Sequence, residues 1–146
     1  MSEKYYIPEL EELCIGLECE INQSKINPKF EWEKYTVGQG YENITINRAI
    51  SEIVLGGIRV KYLDQSDIEE CGFKYDNDSD TFKLWYTYEM YELDKNNETI
   101  NISRFYQNKL CAKVLPFSEW SEFNIFNGEI KNKTEFEKLL TQLGIK

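Results

Sequence analysis

Hydrophobic and polar positions alternate through residues 13–21, where every second residue is apolar. Alternation of this kind is typical of a β-strand that buries one face, so we predict a strand here. A polar stretch that contains Pro28 follows, and residues 30–35 are predicted to return as the second arm of a hairpin. Residues 58–63 are rich in β-branched and aromatic side chains and are predicted as a further strand.

A second hairpin is predicted in the most aromatic part of the chain. Residues 82–91 form one arm, residues 94–97 the turn, and residues 99–106 the other arm. The even-numbered positions are the apolar set in both arms, so they are expected to share the buried face. Pairing of even with even positions requires a loop of three or five residues, or a bulge at Asn96-Asn97.

Three segments carry helical signals. Residues 45–55 repeat apolar residues at helical spacing before Gly56-Gly57, and Ser66 opens a capping-box pattern for one or two turns. At the C-terminus, Thr134 is expected to cap a helix that ends at Gly144. The apolar stripe of that helix consists of Phe136, Leu139, Leu140 and Leu143.

The remaining elements complete a mixed fold. Residues 110–117 and 122–126 are predicted as two short strands, with a tight turn at Asn127-Gly128. Together the elements indicate an α+β fold: an antiparallel β-sheet built from hairpins, with a C-terminal amphipathic helix packed on one face. A length of 146 residues is typical of one domain, so residues 1–146 are expected to form a single domain.

The charge balance argues against a surface built for nucleic acid. The chain has 17 Lys and Arg against 26 Asp and Glu, a net charge of -9, whereas phosphate recognition requires clustered positive charge. We therefore expect no direct nucleic-acid binding. The N-terminus lacks an apolar segment of signal-peptide length, and no apolar run is long enough to span a bilayer. We expect a cytoplasmic protein without membrane association.

Candidate catalytic and metal-binding chemistry is sparse. The chain has no histidine, which removes the commonest general base and metal ligand. The acidic turn at residues 76–80 has Thr81 and Thr87 where a calcium-binding EF-hand loop requires Gly and Glu. The cysteines, which have no CxxC spacing, are Cys14, Cys19, Cys71 and Cys111. We therefore expect no catalytic residues, no metal site and no cofactor.

The first candidate surface for partner binding is an acidic face of the first hairpin. If that hairpin is regular, one face collects Glu18, Glu20, Glu31 and Glu33. Like charges that lie opposite one another cost stability. Such a cluster is suited to binding a cation, contacting a basic protein surface or imitating nucleic-acid phosphates. A solvated edge is the other interpretation.

The second candidate surface is the odd-numbered face of the aromatic hairpin. Among its polar residues it carries Trp85, Glu89, Tyr91 and Phe105. Aromatic rings among polar groups are typical of a contact surface, and coverage by the C-terminal part of the chain is the alternative. On the even-numbered face, an alternative ligand-binding set consists of Arg104, Tyr86 and Tyr88. Arginine can clamp a phosphate, while pairing with a carboxylate or extending to the rim are competing interpretations.

Two blocks of the sequence carry a resemblance to known proteins. One is the segment IRVKYLD at residues 58–64, followed by Asp67-Ile68-Glu69 and Gly72-Phe73. The other is C-terminal, from GEIKNKT at residues 128–134 through LLTQLGI at residues 139–145. Both blocks, and the opening Tyr6-Ile7-Pro8, resemble small uncharacterised phage and prophage proteins of Bacteroidetes. The resemblance implies a mobile element in a bacterium and carries over no catalytic residues.

The resemblance implies an accessory protein that acts in the cytoplasm of a host cell. Genes of this size in that setting include blockers of host defence, so we expect a non-enzymatic protein that binds and inhibits a host protein. Its most concrete form is a defence-system inhibitor of the anti-CRISPR type, whose partner is a host protein or a protein–nucleic-acid effector complex. Two alternatives stay open: a sponge that sequesters a nucleotide immune signal, and a minor structural or housekeeping phage protein.

Overall fold

A computed structural model describes residues 4–22, 32–38, 43–86, 89–106 and 120–145 of the chain. Within these residues strands outweigh helices and the α+β class is confirmed, although the strands form two sheets where one was expected. The chain divides into two compact units, Met1–Tyr62 with Asn132–Glu135, and Leu63–Lys131 with Phe136–Lys146. This division does not test whether the units unfold together, so a single domain over residues 1–146 stays a prediction.

The first unit contains a five-stranded sheet that follows the order β1-β5-β2-β3-β4. Its strands are β1 (Tyr5–Tyr6), β2 (Glu18–Asn22), β3 (Trp32–Val37), β4 (Asn43–Ile44) and β5 (Ile58–Lys61). Every neighbouring pair is antiparallel except β3 with β4, which is parallel. The pairing of β2 with β3 confirms the first predicted hairpin. Residues 23–31, which hold the predicted turn and the start of its second arm, lie outside the described residues.

The predicted first strand is confirmed only in its second half. Leu17, Cys19 and Ile21 are buried, as the alternation indicates. Residues 13–16 are not part of the strand, because Gly16 adopts a left-handed conformation with φ +98° and the chain turns there. As a result, Ile15 is exposed instead of lying on the buried face. A 3₁₀ turn at Leu10–Glu12 precedes this segment.

The predicted helix at residues 45–55 is confirmed as α1 (Ile46–Leu55), and the short strand β4 before it was not predicted. The Thr45 hydroxyl accepts a hydrogen bond from the Arg48 amide, and Gly56 ends the helix in the left-handed region with φ +69°. One side of the helix packs on the apolar core of the first unit. The buried members of that core are Leu17, Cys19, Ile21, Val37, Ile44, Ala49, Ile58 and Val60.

The second unit contains an antiparallel sheet in which each strand pairs with its neighbours along the chain. Its strands are β6 (Lys74–Asp76), β7 (Thr81–Trp85), β8 (Glu89–Asn96), β9 (Thr99–Tyr106) and β10 (Ser121–Glu129). The expected tight turn at Asn127-Gly128 is wrong, because both residues continue β10 opposite Asn101 and Ile100. The strand expected at residues 110–117 lies outside the described residues.

The predicted pairing within the aromatic hairpin is wrong. Residues 82–91 are not one strand, since Trp85 pairs with Met90 and the Tyr86 amide donates to the Glu89 carbonyl. A second short reversal joins β8 to β9, where Asn96 pairs with Thr99. Each reversal places odd-numbered positions of β8 beside even-numbered positions of its neighbours. The face that packs under the C-terminal helix therefore carries odd-numbered residues in β8 and even-numbered residues in β7 and β9.

The two later helices are capped at different residues from those predicted. In α2 (Gln65–Glu70), the reciprocal capping box joins Asp64 and Asp67 instead of starting at Ser66. In α3 (Lys133–Gln142), the Asn132 side chain accepts a hydrogen bond from the Glu135 amide at 2.9 Å. The prediction of a Thr134 cap is therefore wrong, because the helix begins one residue before that threonine.

The predicted packing of the C-terminal helix on the sheet is confirmed within the second unit. Phe136, Leu139 and Leu140 of α3 are buried in one cluster with side chains from one face of β7, β8 and β9. Those sheet residues are Phe82, Tyr91, Leu93, Ile100 and Ile102. Phe73, which follows the left-handed Gly72, also belongs to this cluster. The helix therefore packs on that sheet face.

Candidate partner-binding surface

Exposed aromatic side chains collect at one end of the second sheet. The antiparallel order brings the end of β7, the start of β8, the end of β9 and the start of β10 to the same place. Here Trp85 is 56 % exposed, Phe123 52 % and Tyr86 39 %. We call this region the aromatic end and define it by Trp85, Tyr86, Tyr106, Trp120 and Phe123. Large exposed aromatic groups at one place are unusual on a surface without a binding role.

The rings of the aromatic end pack against one another in pairs. Trp85 and Trp120 meet edge to face with ring centroids 6.4 Å apart. Tyr106 and Phe123 are stacked, with centroids 5.5 Å apart. Tyr86 meets the Tyr91 ring edge-on at 6.0 Å. Because each ring is held by a neighbour, little side-chain entropy remains to be lost when a partner covers this surface.

An ion pair lies beside the stacked Tyr106 and Phe123 rings, on the face of the sheet opposite Trp85. The Arg104 Nη2 atom is 2.6 Å from Glu89 Oε2, and Arg104 Nε donates a 2.9 Å hydrogen bond to the same oxygen. The Arg104 guanidinium also lies over the Tyr106 ring, 5.3 Å from its centroid. The hydrogen bond that Arg104 donates to Glu89 raises the pKa of Arg104 above its usual value. Arg104 thus stays charged, and Glu89 already compensates that charge within the protein. This weakens the case for a phosphate clamp.

The structure separates the residues of the predicted odd-numbered face. Trp85, Met90 and Phe105 lie side by side on one face, whereas Glu89 and Tyr91 lie on the other with Arg104. Met90 is fully buried, and Tyr91 belongs to the core. A single partner-binding face made of all four predicted residues is therefore wrong, because the chain reverses between β7 and β8. Trp85 and Glu89 nevertheless both lie at the aromatic end.

The alternative ligand set is only partly brought together. Arg104 pairs with Tyr91 across the sheet, and the Tyr86 ring contacts the same tyrosine, so both predicted residues lie near it. Tyr88 lies outside the described residues. Sequence reasoning missed Phe123 and Trp120, since only the register of β10 against β9 shows that their segment begins at the aromatic end.

The predicted face of four glutamates does not form in the described part of the first hairpin. Glu18 pairs with Thr36 and Glu20 with Lys34, whereas Glu33 pairs with Ile21. Directly paired residues share a face, so Glu33 lies on the opposite side of the sheet from Glu18 and Glu20. Glu31 lies outside the described residues.

Glu20 is also neutralised by a residue that sequence reasoning missed. Its Oε1 atom is 3.0 Å from Arg59 Nη2, and both side chains are mostly buried. The Arg59 guanidinium lies between two aromatic rings, 3.8 Å from the Tyr5 centroid and 4.2 Å from the Trp32 centroid. Adjacent strands bring these four residues together. This arrangement ties the strands of the first sheet together, and it leaves less negative potential here than the sequence suggested.

Two weak acids of the first unit are held in their neutral forms. The Tyr6 hydroxyl donates to Glu12 and accepts from Asn132, and burial is the main cause that raises its pKa well above the usual value. Burial, aided by the charge of Glu20, raises the pKa of Cys19 to about 11. Unfolding would return both groups to their ordinary acidity.

The first unit is accordingly expected to lose stability in alkali. Both folded-state pKa values are raised, so the stabilisation is complete below the ordinary values of 9.0 for cysteine and 10.0 for tyrosine and declines as the pH rises past them. Tyr6→Phe should be about 1 kcal/mol less stable at pH 7, because Asn132 and Glu12 lose a partner. Between pH 9 and 11 its stability should fall less than that of the wild type. Urea unfolding at several pH values in this range measures the difference. An equal loss of unfolding free energy with pH in Tyr6→Phe and the wild type would contradict the prediction.

Metal chemistry finds no support among the described residues. None of the Cys, Asp and Glu side chains there form a group of three or more that could hold a metal ion. In the acidic turn at residues 76–80, which was compared with a calcium-binding loop, the Asp76 carboxylate forms an ion pair with Lys83 Nζ at 2.7 Å. Of the helices described, none is long and apolar enough to cross a membrane.

Among the described residues, the candidate contact features are the aromatic end and the two arginine–carboxylate pairs. These are contact features, suited to recognition of another surface, and they contain no arrangement of nucleophile and base. Comparison of the chain with protein-family models, curated proteins and solved structures finds no match.

Proposed function

We propose that this protein acts by binding a protein partner through the aromatic end of its second sheet. The observation that carries the proposal is the set of exposed, mutually packed rings at this end of the sheet, of which Tyr106 and Phe123 lie on the same face as the Arg104–Glu89 ion pair. Tyrosine, tryptophan and arginine supply most of the binding energy in known protein interfaces. Binding by occupancy also suits a chain without histidine, since the commonest general base is missing.

The biological setting that we propose is inhibition of a host protein by a phage or prophage accessory protein in the host cytoplasm. This part of the proposal is supported by the resemblance of residues 58–64 and 128–145 to phage and prophage proteins. A component of a host defence system, either a protein or a protein–nucleic-acid effector complex, is the most concrete target. The net charge of -9 favours contact with the protein part of such a complex.

The alternative of a nucleotide sponge receives less support from the arginines. A sponge for a phosphorylated signal needs cationic groups that can turn toward phosphate. Arg59 is bonded to Glu20 and Arg104 to Glu89, so binding of a phosphate would have to displace a carboxylate at either residue. A protein surface can instead accept such a pair as it stands.

The test is a titration of the partner captured from a host lysate. Inhibition is expected to increase linearly and to be complete near one equivalent of this protein or of its oligomer. The same endpoint should be reached after short and long incubation, because occupancy does not accumulate product. Complete inhibition by a small fraction of one equivalent, with the effect growing over time, would show turnover and overturn the proposal. The Val54→Ala variant, which trims an 81 % exposed side chain of the first unit, is the matched control and should act like the wild type.

A further inference from the structure

The four edge strands of the two sheets differ greatly in length. Within the described ranges, the edge strands β1 and β4 have two residues each and β6 has three, whereas β10 has nine. An edge strand presents a row of backbone N–H and C=O groups, and its capacity to pair with another strand grows with its length. Proteins often prevent such pairing by keeping their edge strands short, but β10 is not short.

The sequence of β10 also lacks the usual blocking residues. Its nine residues include no lysine and no proline, either of which commonly protects an edge. A bulge between Asn124 and Phe126 divides the strand, so its first straight segment is residues 121–124. All four side chains of that segment are exposed, and Phe123 within it belongs to the aromatic end. An incoming strand would therefore contact the Phe123 ring as it pairs.

We propose that residues 121–124 of β10 pair with an extended basic segment of the partner, which adds a strand to the second sheet. The inference rests on the proposed function, because it describes how a partner engages the aromatic end. Side chains of an added strand alternate between the two faces. On one face they meet Phe123, which favours apolar residues, and on the other they meet Glu122, which favours lysine or arginine. The only charges on β10, Glu122 and Glu129, are negative, and so is the net charge of the chain.

The test uses the full chain and two synthetic peptides with blocked ends. Lys-Val-Lys-Val-Lys-Val has the expected alternation, whereas Lys-Pro-Lys-Pro-Lys-Pro has the same charge but lacks every second N–H and favours the polyproline conformation over a β-strand. In an NMR titration the valine peptide is expected to bind at least about tenfold more tightly, and to slow amide exchange at alternate residues of the segment 121–124. Equal affinities, or slowed exchange elsewhere only, would overturn the inference.

Charge variants separate strand addition from general attraction between opposite charges. Glu122→Lys is expected to weaken binding of the valine peptide by about tenfold, because it places like charges opposite one another. Glu11→Lys makes the same change of charge at an exposed residue of the first unit and should have little effect. Equal losses in the two variants would overturn the inference. Slow exchange of the same amides before peptide is added would also overturn it, because this chain or a second copy would then occupy the edge.

The outcomes distinguish this inference from the proposed function. If the valine peptide does not pair with β10 but Trp85→Ala still weakens binding of the captured partner, strand addition is wrong and the aromatic end keeps its role. If the peptide pairs with residues 121–124 and the captured partner binds Trp85→Ala with unchanged affinity, strand addition is supported. The proposed role of the aromatic end is then the part that fails.

Discussion

Replacing Phe136 by alanine is expected to lower the free energy of unfolding of the second unit by about 3–5 kcal/mol, the range for removal of a buried phenylalanine ring. The Phe136 side chain is 0 % exposed, and its ring lies 6.1 Å from that of Phe73 within the core beneath α3. The loss combines the transfer energy of the ring with the cavity that rigid neighbours leave unfilled. No other substitution considered above is expected to cost as much.

Urea unfolding with hydrogen exchange measures both the size of this loss and its extent. Gln142→Ala is the control, because Gln142 lies exposed on the same helix and should change stability by less than about 0.5 kcal/mol. A loss below about 1 kcal/mol for Phe136→Ala would contradict the packing of α3 on the sheet. If residues 1–146 form a single cooperative domain, amides of β2 and β3 should lose protection together with those of β8 and β9.

Replacing Trp85 by alanine is expected to weaken binding of the captured partner by about 2 kcal/mol or more, which is about 30-fold in Kd. The indole is more than half exposed and is positioned by Trp120, so it can fill a pocket without first being ordered. Loss of such an anchor acts mainly on the dissociation rate, so surface plasmon resonance should show faster release with little change in association.

Two controls make the Trp85 result specific. Trp85→Phe retains an aromatic ring and should recover part of the affinity, whereas Val54→Ala removes exposed apolar surface from the first unit and should leave it unchanged. The melting temperature of Trp85→Ala should stay close to that of the wild type, because its side chain is mostly outside the core. Wild-type affinity in Trp85→Ala would remove the aromatic end from the interface.

Elements with a strong period could be predicted from the sequence. The stripe of Phe136, Leu139 and Leu140 identified α3 and its buried side, because helical spacing and burial agree there. The alternation of Leu17, Cys19 and Ile21 likewise identified the core side of β2. In both cases the information is local, so neighbouring residues alone are enough to specify it.

Features that depend on register could not be predicted. The chain reverses between Trp85 and Met90 without glycine, proline or asparagine, so no turn signal marks the place. The aromatic hairpin was therefore assigned the wrong faces, and only part of the candidate site was found. Glu33 and Arg59 show the same limit in the first sheet, since their neighbours are set by pairing between strands that are distant in sequence.

The reversal between Trp85 and Met90 constrains the number of residues there more strictly than their identity. Side chains alternate between the two faces of a strand. If one residue were inserted or deleted and the reversal kept its length, β8 would shift by one position against β7, and Tyr91 and Leu93 would move out of the core. Substitutions at the reversal leave that alternation intact. Natural variants of this protein should therefore keep the spacing of the flanking strands, so a length polymorphism at residues 86–89 would mark a chain with a rearranged second sheet.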